Sequence, residues 1–185
     1  MTKRQEAFVS VDVETSGPIP GEFSMLTIGA CLIDDPTKTF SCSLKPISLK
    51  ADPAAMAVTG LSLDQLSDAG LPPEVAMRRF ADWLRSLAPD GDIVFVGMNA
   101  PFDWSFVNYY FWRFYGQNPF GFTALDIKAF YMGMTGCRWD ETRSSKMADR
   151  LSPTSKGTHD ALQDAIYQAE LFRLARQLAV PDGEA

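Results

Sequence analysis

The chain has 185 residues, 46% of them hydrophobic and 22% charged, and carries a net charge of −6 from 23 acidic and 17 basic side chains. That length suits one globular domain burying about 70% of its unfolded surface, and no apolar run reaches the ~18 residues of a membrane span. The acidic balance argues against broad binding to long duplex nucleic acid, which Lys and Arg drive, but not against a small nucleic-acid substrate held by metal ions and base stacking. Met1–Glu6 lacks the apolar core of a signal peptide. Cys31, Cys42 and Cys137 form no close-spaced pair, which fits a reduced cytoplasmic setting with Cys31 and Cys42 as small core residues of adjacent strands. Without CxxC, and with His159 as the only histidine, a zinc site is not expected.

In chain order, Phe8–Glu14 reads as a β-branched strand. Pro18, Pro20 and the flanking glycines form a loop, and residues 25–33 make a second strand. Asp34-Asp35-Pro36 is expected to turn the chain into a third strand over about 39–44, antiparallel to the second. Pro53 starts a short helix to about Val58, and Ser62 is a candidate cap for another turn through Leu66. Pro72-Pro73 opens an amphipathic helix with Val75, Met77, Phe80, Ala81 and Leu84 on its apolar side. Ile93–Met98 is an unbroken apolar run, the signature of a strand buried on both faces. An aromatic-rich helix covers about 102–115, where Phe106, Tyr110, Phe111 and Phe114 read as core. A short strand (123–126) and a helix (127–132) follow. Residues 133–158 are irregular apart from a short helical stretch at 146–151, and a last helix runs over about 160–179. The whole is one domain over 1–185, ordered over about 7–179, with a tail at 180–185. The fold class is α/β with a mixed sheet.

Asp12 and Glu14 stand at i and i+2 of the first strand, so both carboxylates share one face, about 7 Å apart by Cα. Like charges that close repel, and they persist where water solvates them or a cation lies between them. Asp103 follows the buried strand, in the first turn of the next helix. It is either a helix-start acid favoured by the macrodipole or a third carboxylate at the carboxyl ends of the strands, where α/β sites lie. His159 precedes the last helix and Asp164 lies one turn inside it; the bland alternative is a loop histidine and a solvated acid.

Taken together, Val11-Asp12-Val13-Glu14-Thr15-Ser16-Gly17, Asn99-Ala100-Pro101-Phe102-Asp103 and His159-Asp160-Ala161-Leu162-Gln163-Asp164-Ala165 resemble the DEDDh group of 3′–5′ exonucleases. That group includes the proofreading subunit of the bacterial replicative DNA polymerase, ribonuclease T and oligoribonuclease. The resemblance runs from Val11 to about Phe172, and Ile28-Gly29-Ala30 resembles the group's second strand. Thr27 departs from an acid common before Ile-Gly, and Thr59-Gly60 from a common His-Gly. The resemblance implies a ribonuclease H-like mixed five-stranded sheet, three antiparallel strands then two parallel, with helices on both faces. It also implies two Mg²⁺ (or Mn²⁺) ions held by Asp12, Glu14, Asp103 and Asp164, with His159 as general base. The implied substrate is the 3′ end of single-stranded DNA or RNA, with degradation of very short RNA, or a non-catalytic binding module on the same fold, as the alternatives. A homodimer or a polymerase-type partner is compatible with it. Substrate contacts are expected from the backbone around Thr15 and Ser16, from Asn99, and from stacking on Phe23, Phe102 or Trp139. Arg138, Arg143, Lys146 and Lys156 are either a phosphate-contacting rim or a solvated loop.

Overall fold

In the computed structural model, which describes residues 6–178, β1 (Glu6–Thr15) is the central strand of a five-stranded sheet of order β3-β2-β1-β4-β5. β2 (Met25–Leu32) and β3 (Asp35–Ser43) extend it antiparallel on one side, and β4 (Asp92–Gly97) and β5 (Ala124–Asp126) extend it parallel on the other. This is the expected mixed sheet. Strand alternation sends Val9, Val11 and Val13 to one face, where they are buried against α3 (Pro73–Leu87) and α4 (Ala100–Phe114). Phe8, Asp12 and Glu14 share the opposite face, under α7 (Ala161–Gln177).

The core on the α3/α4 side is built from rings. Phe80 packs against Phe40, Phe111, Trp83 and Phe120 with centroids 4.8, 5.5, 6.0 and 6.0 Å away. Truncating a buried ring of this kind costs about 3–5 kcal/mol. On the other face, Cys31, Ile33 and Val96 pack with α5 (Ile127–Thr135), α6 (Ser144–Leu151) and α7. The linker from β3 to α3 holds two short helices. In α1 (Pro53–Thr59) Asp52 accepts from the Ala54 and Ala55 amides, and in α2 (Leu63–Ala69) Ser62 accepts from Gln65, as its position suggested.

The structure departs from the sequence reading in four places. The turn is at 33–34, and Asp35 and Pro36 belong to β3: Pro36 lies in an irregularity of that outer strand where residues 36–38 have no partner on β2, so its missing N–H costs no ladder bond. On α3 the core position is Ala76, while Val75 points outward at 38% exposure. β4 is fully buried only from Phe95 to Gly97, its first half lying at the rim of the sheet. The stretch 133–158 is largely ordered: α5 continues to Thr135, a 3₁₀ turn covers Trp139–Thr142, and α6 starts at Ser144. Residues 180–185, read as a tail, lie outside the described residues, as does Ala179.

Gly29, directly opposite Asp12 across β1–β2, lets α7 lie flush on the sheet: a Cβ there would stand 2.1 Å from the Ala161 carbonyl carbon and 2.2 Å from the Leu162 nitrogen. That clash is with backbone, so it is relieved only by moving the start of α7 and the acids it carries. Gly29→Ala is therefore expected to destabilise the protein by about 1–3 kcal/mol, the usual range for overpacking, and to reduce turnover well beyond that loss. Denaturant unfolding and single-turnover rates check it; wild-type turnover in the variant would show that the close approach does not set the site.

Candidate active site

The carboxyl end of β1 brings the separated motifs together. Asp103 sits in the first turn of α4, 5% exposed, and its Oδ1 accepts from the Val13 amide at 3.0 Å, the amide between Asp12 and Glu14. α4 starts there because Pro101 suits a helix start and because Asp126, at the end of β5, accepts from the Ala100 amide at 2.7 Å. The other oxygen of Asp126 caps α5 at Ala129, also 2.7 Å away. One carboxylate thus ties two helix starts to the sheet edge facing the site.

From the other side, α7 delivers Asp164, and Asp160 caps the helix by accepting from Gln163. Asp164 accepts from the Thr158 amide at 2.6 Å and the His159 amide at 3.0 Å. His159 takes a left-handed backbone (φ 60°), uncommon for a side chain with a Cβ though several-fold enriched for histidine. One nitrogen of its ring and one carboxylate oxygen each of Glu14 and Asp164 lie within 4.8 Å of one another, a spacing that suits a shared cation. The imidazole is exposed and lines two cavities of about 360 Å³ each. One includes Glu14, Thr27, Ser41 and Leu61; the other includes Met98, Ser144, Tyr167 and Gln168.

The electrostatics record the crowding. Burial pushes the Asp12 carboxyl well above its ordinary value, and the charges of Asp103, Glu14 and Asp164 push it further. Glu14 rises to about 7 through burial, then Asp164 and Asp160. Asp103 also rises to about 7, chiefly by burial, with the Val13 amide pulling against it. No lysine or arginine among the described residues forms an ion pair with any of these acids. The solvated-strand-end alternative for Asp12 and Glu14 does not describe this cluster.

One residue of the cluster, Gln168, was not singled out from the sequence. Gln168, 6% exposed, donates from Nε2 to Asp12 Oδ1 at 2.6 Å and accepts the Met98 amide on Oε1 at 2.9 Å. The signal was a lone amide on the stripe Ala161, Ala165, Ala169, Phe172 that α7 buries. Thr27 pairs with Glu14 across β1–β2, and its buried hydroxyl has no partner among the described residues.

The expected substrate contacts divide. Phe102 is 36% exposed beside Asp103, and Asn99 is exposed with a left-handed backbone (φ 61°) and no side-chain cap. Trp139 is exposed, with the Lys128 ammonium 4.3 Å over its ring. The amide of Ser16 is already committed to the Ser24 carbonyl at 2.8 Å, and its hydroxyl to the Lys50 carbonyl at 2.9 Å. Thr15 is buried and donates to the Gly17 carbonyl. Phe23 is buried against Gly17 with the Lys50 ammonium 4.8 Å over its ring, so its ring packs the loop rather than presenting an open face. Of the basic rim, Arg138 pairs with Asp140 and Lys146 with Asp149 on the exposed surface.

Known proteins resemble this chain in sequence and in fold. The family model described as "Exonuclease" (RNase_T) matches residues 9–172. A 3′-5′ DNA exonuclease, Cap18, from Escherichia coli is 57% identical over 180 residues, 97% of this chain and 96% of that protein. Among solved structures, the nuclease domain of 3′hExo, a DEDDh family member bound to rAMP, superposes with a TM-score of 0.74 at 15% identity, covering 92% of each chain. E. coli exonuclease I in complex with a dT13 oligonucleotide gives 0.72 at 18% identity, over 93% of this chain and 41% of that one. These two likenesses speak to the fold, which is the mixed sheet expected. With the family model spanning most of its length and a relative at 57% identity covering nearly all of it, the chain belongs to the exonuclease (RNase_T) family.

Proposed function

We propose that this 3′–5′ exonuclease removes nucleotides from the 3′ end of single-stranded DNA, with two divalent ions, Mg²⁺ or Mn²⁺, held by Asp12, Glu14, Asp103 and Asp164, and with His159 as general base. The observation that carries the reading is the convergence of four acids from β1, α4 and α7 with the only imidazole of the chain within 4.8 Å of two of them. The donor set fits hard cations: carboxylate oxygens, no thiolate, and like charges that a cation would relieve. Bound there, such ions supply charge for the scissile phosphate and acidify the attacking water.

The protein's own groups do the rest. Gln168 fixes which way Asp12 faces, and the Val13 amide does the same for Asp103. His159 accepts a proton from the attacking water as its oxygen bonds to phosphorus and the bond to the 3′ oxygen breaks; that oxygen takes a proton from solvent, leaving a shortened strand with a 3′-OH and a free nucleoside 5′-monophosphate. The two cavities flanking His159 have the size of small-ligand sites and leave room for the terminal nucleotide and its neighbour. Phe102 would stack on a base, a contact worth about 1–3 kcal/mol, and its exposure next to Asp103 supports that role. DNA is preferred over RNA on the strength of the 57% identical relative's named substrate.

Three measurements test this. With Mg²⁺ or Mn²⁺ and 5′-labelled oligonucleotides, stepwise shortening of DNA from a free 3′-OH is expected, faster than of RNA and stopped by a chelator; RNA cleaved as fast or faster would reject the substrate assignment. His159→Ala is expected to lower kcat by about 100-fold or more, within the ~10²–10⁴ range of general-base catalysis, with Mn²⁺ affinity changed far less; unchanged turnover would reject the base role. The third follows from the raised carboxyls. Their protons favour the fold at low pH, and that contribution is lost as pH rises through about 7 for Glu14 and Asp103. A cation replaces those protons, so the rise in Tm produced by Mn²⁺ should grow from pH 5.5 to 8. At a concentration near 100 Kd it should reach about 5 °C or more at pH 8. Asp12→Asn should raise the metal-free Tm and shrink the shift; a shift equal at both pH values would mean that the acids do not hold the ion.

A further inference from the structure

Residues 152–160 carry His159 from α6 to α7, and the stretch begins and ends its arch in left-handed residues, Ser152 (φ 53°) and His159 (φ 60°). Two carboxylates of α7 grip it. Asp164 holds the far end through the Thr158 and His159 amides. Glu170, nearly two turns further along the helix, holds the near end with both oxygens: Oε1 accepts the Thr154 amide and hydroxyl, each at 2.8 Å, and Oε2 accepts the Ser155 amide at 2.9 Å and the Ser155 hydroxyl. Hydrogen bonds to an ionised acceptor are about twice as strong as neutral ones. Burial works to raise this carboxyl, but the donors from Ser155 and Thr154 outweigh it and bring it down to about 2, so Glu170 stays charged wherever the enzyme works.

We propose that Glu170 is a positioning residue, clamping the 154–155 segment to α7 so that the His159 imidazole stands within reach of the water it deprotonates. This rests on His159 acting as general base. Asp164 must divide its lone pairs between two amides and any cation at the site, whereas the hydrogen bonds Glu170 accepts come from Thr154 and Ser155 of the loop. With Glu170 removed, the loop keeps its attachment at Thr158 and His159 but loses the one at Thr154 and Ser155, and the imidazole sweeps a larger volume. Displacement of a reacting group by about 1 Å can lower a rate ~10²-fold.

The test uses the full chain with Mn²⁺ and a single-stranded oligonucleotide. Glu170→Ala is expected to speed amide exchange at Thr154, Ser155, Thr158 and His159 by about 10-fold or more, and to lower kcat by ~10-fold or more with KM nearly unchanged. Glu170→Gln, which keeps one acceptor oxygen, should fall between, and Ser155→Ala, which removes one hydroxyl and leaves α7 untouched, should shift exchange and kcat the same way to a smaller degree. The decisive arm is the cycle with His159→Ala. If Glu170 acts through the imidazole, adding Glu170→Ala to that variant lowers kcat by less than about 2-fold. Unchanged exchange, unchanged kcat, or the same fall in both backgrounds would overturn the proposal. Failure of the general-base reading shows separately, as wild-type turnover in His159→Ala alone, while the exchange data still report on the clamp.

Discussion

α7 lies flush against β2, and it can do so because position 29 lacks a Cβ. The acids of this protein come from stretches that lie far apart in the chain, and a helix–sheet contact without intervening side chains brings Asp164 over the end of β1. Gly29 lies opposite Asp12 in the antiparallel ladder, so the residue that admits the helix is also the cross-strand neighbour of the acid at the centre of the cluster. The second convergence, of α4 upon β1, uses a hydrogen bond: the Val13 amide reaches Asp103 between the two strand carboxylates. Asp126 fixes the start of that helix from β5. Each acid is thus placed by backbone, which moves less than side chains do.

That placement works against the stability of the fold. Asp12, Glu14 and Asp103 are driven above their usual range by burial and by neighbouring carboxylates, those of α7 included, with no basic side chain among the described residues paired to them. A chain selected for stability alone would replace one of them with an amide or an apolar residue. Gln168 shows the compromise at Asp12, since it supplies a donor without a second charge and commits its own acceptor to β4's end.

How much of this was legible before the fold was known follows from the range of each signal. Asp12 and Glu14 were readable because strand alternation is a strict local rule, and Asp103 because Pro101 and the apolar run of β4 marked a strand end and a helix start. That the sheet is mixed followed from the tight connection between β2 and β3 and the helices between the later strands; the order of its strands came only with the fold. Gln168, Glu170 and Asp126 were not legible as a set, since their roles depend on partners that only the packed fold supplies: Gln168 meets Asp12 across 156 positions. Phe23 illustrates the opposite failure. An aromatic in a Gly/Pro loop beside a site suggests stacking, yet Gly17 leaves a hollow that the ring itself fills. Pro36 misled in the same way, because its local turn preference yielded to its place on an outer strand.

That outer strand has a consequence for assembly. β3 opens with Asp35, Pro36, Thr37 and Lys38, so its free margin offers a gap where a donor is missing and charges where another strand would need to zip. The opposite margin, β5, is three residues long. Proline, lysine and brevity are the usual ways in which natural sheets refuse to grow sideways. At those two places the ribbon of five strands is poorly suited to recruiting another strand.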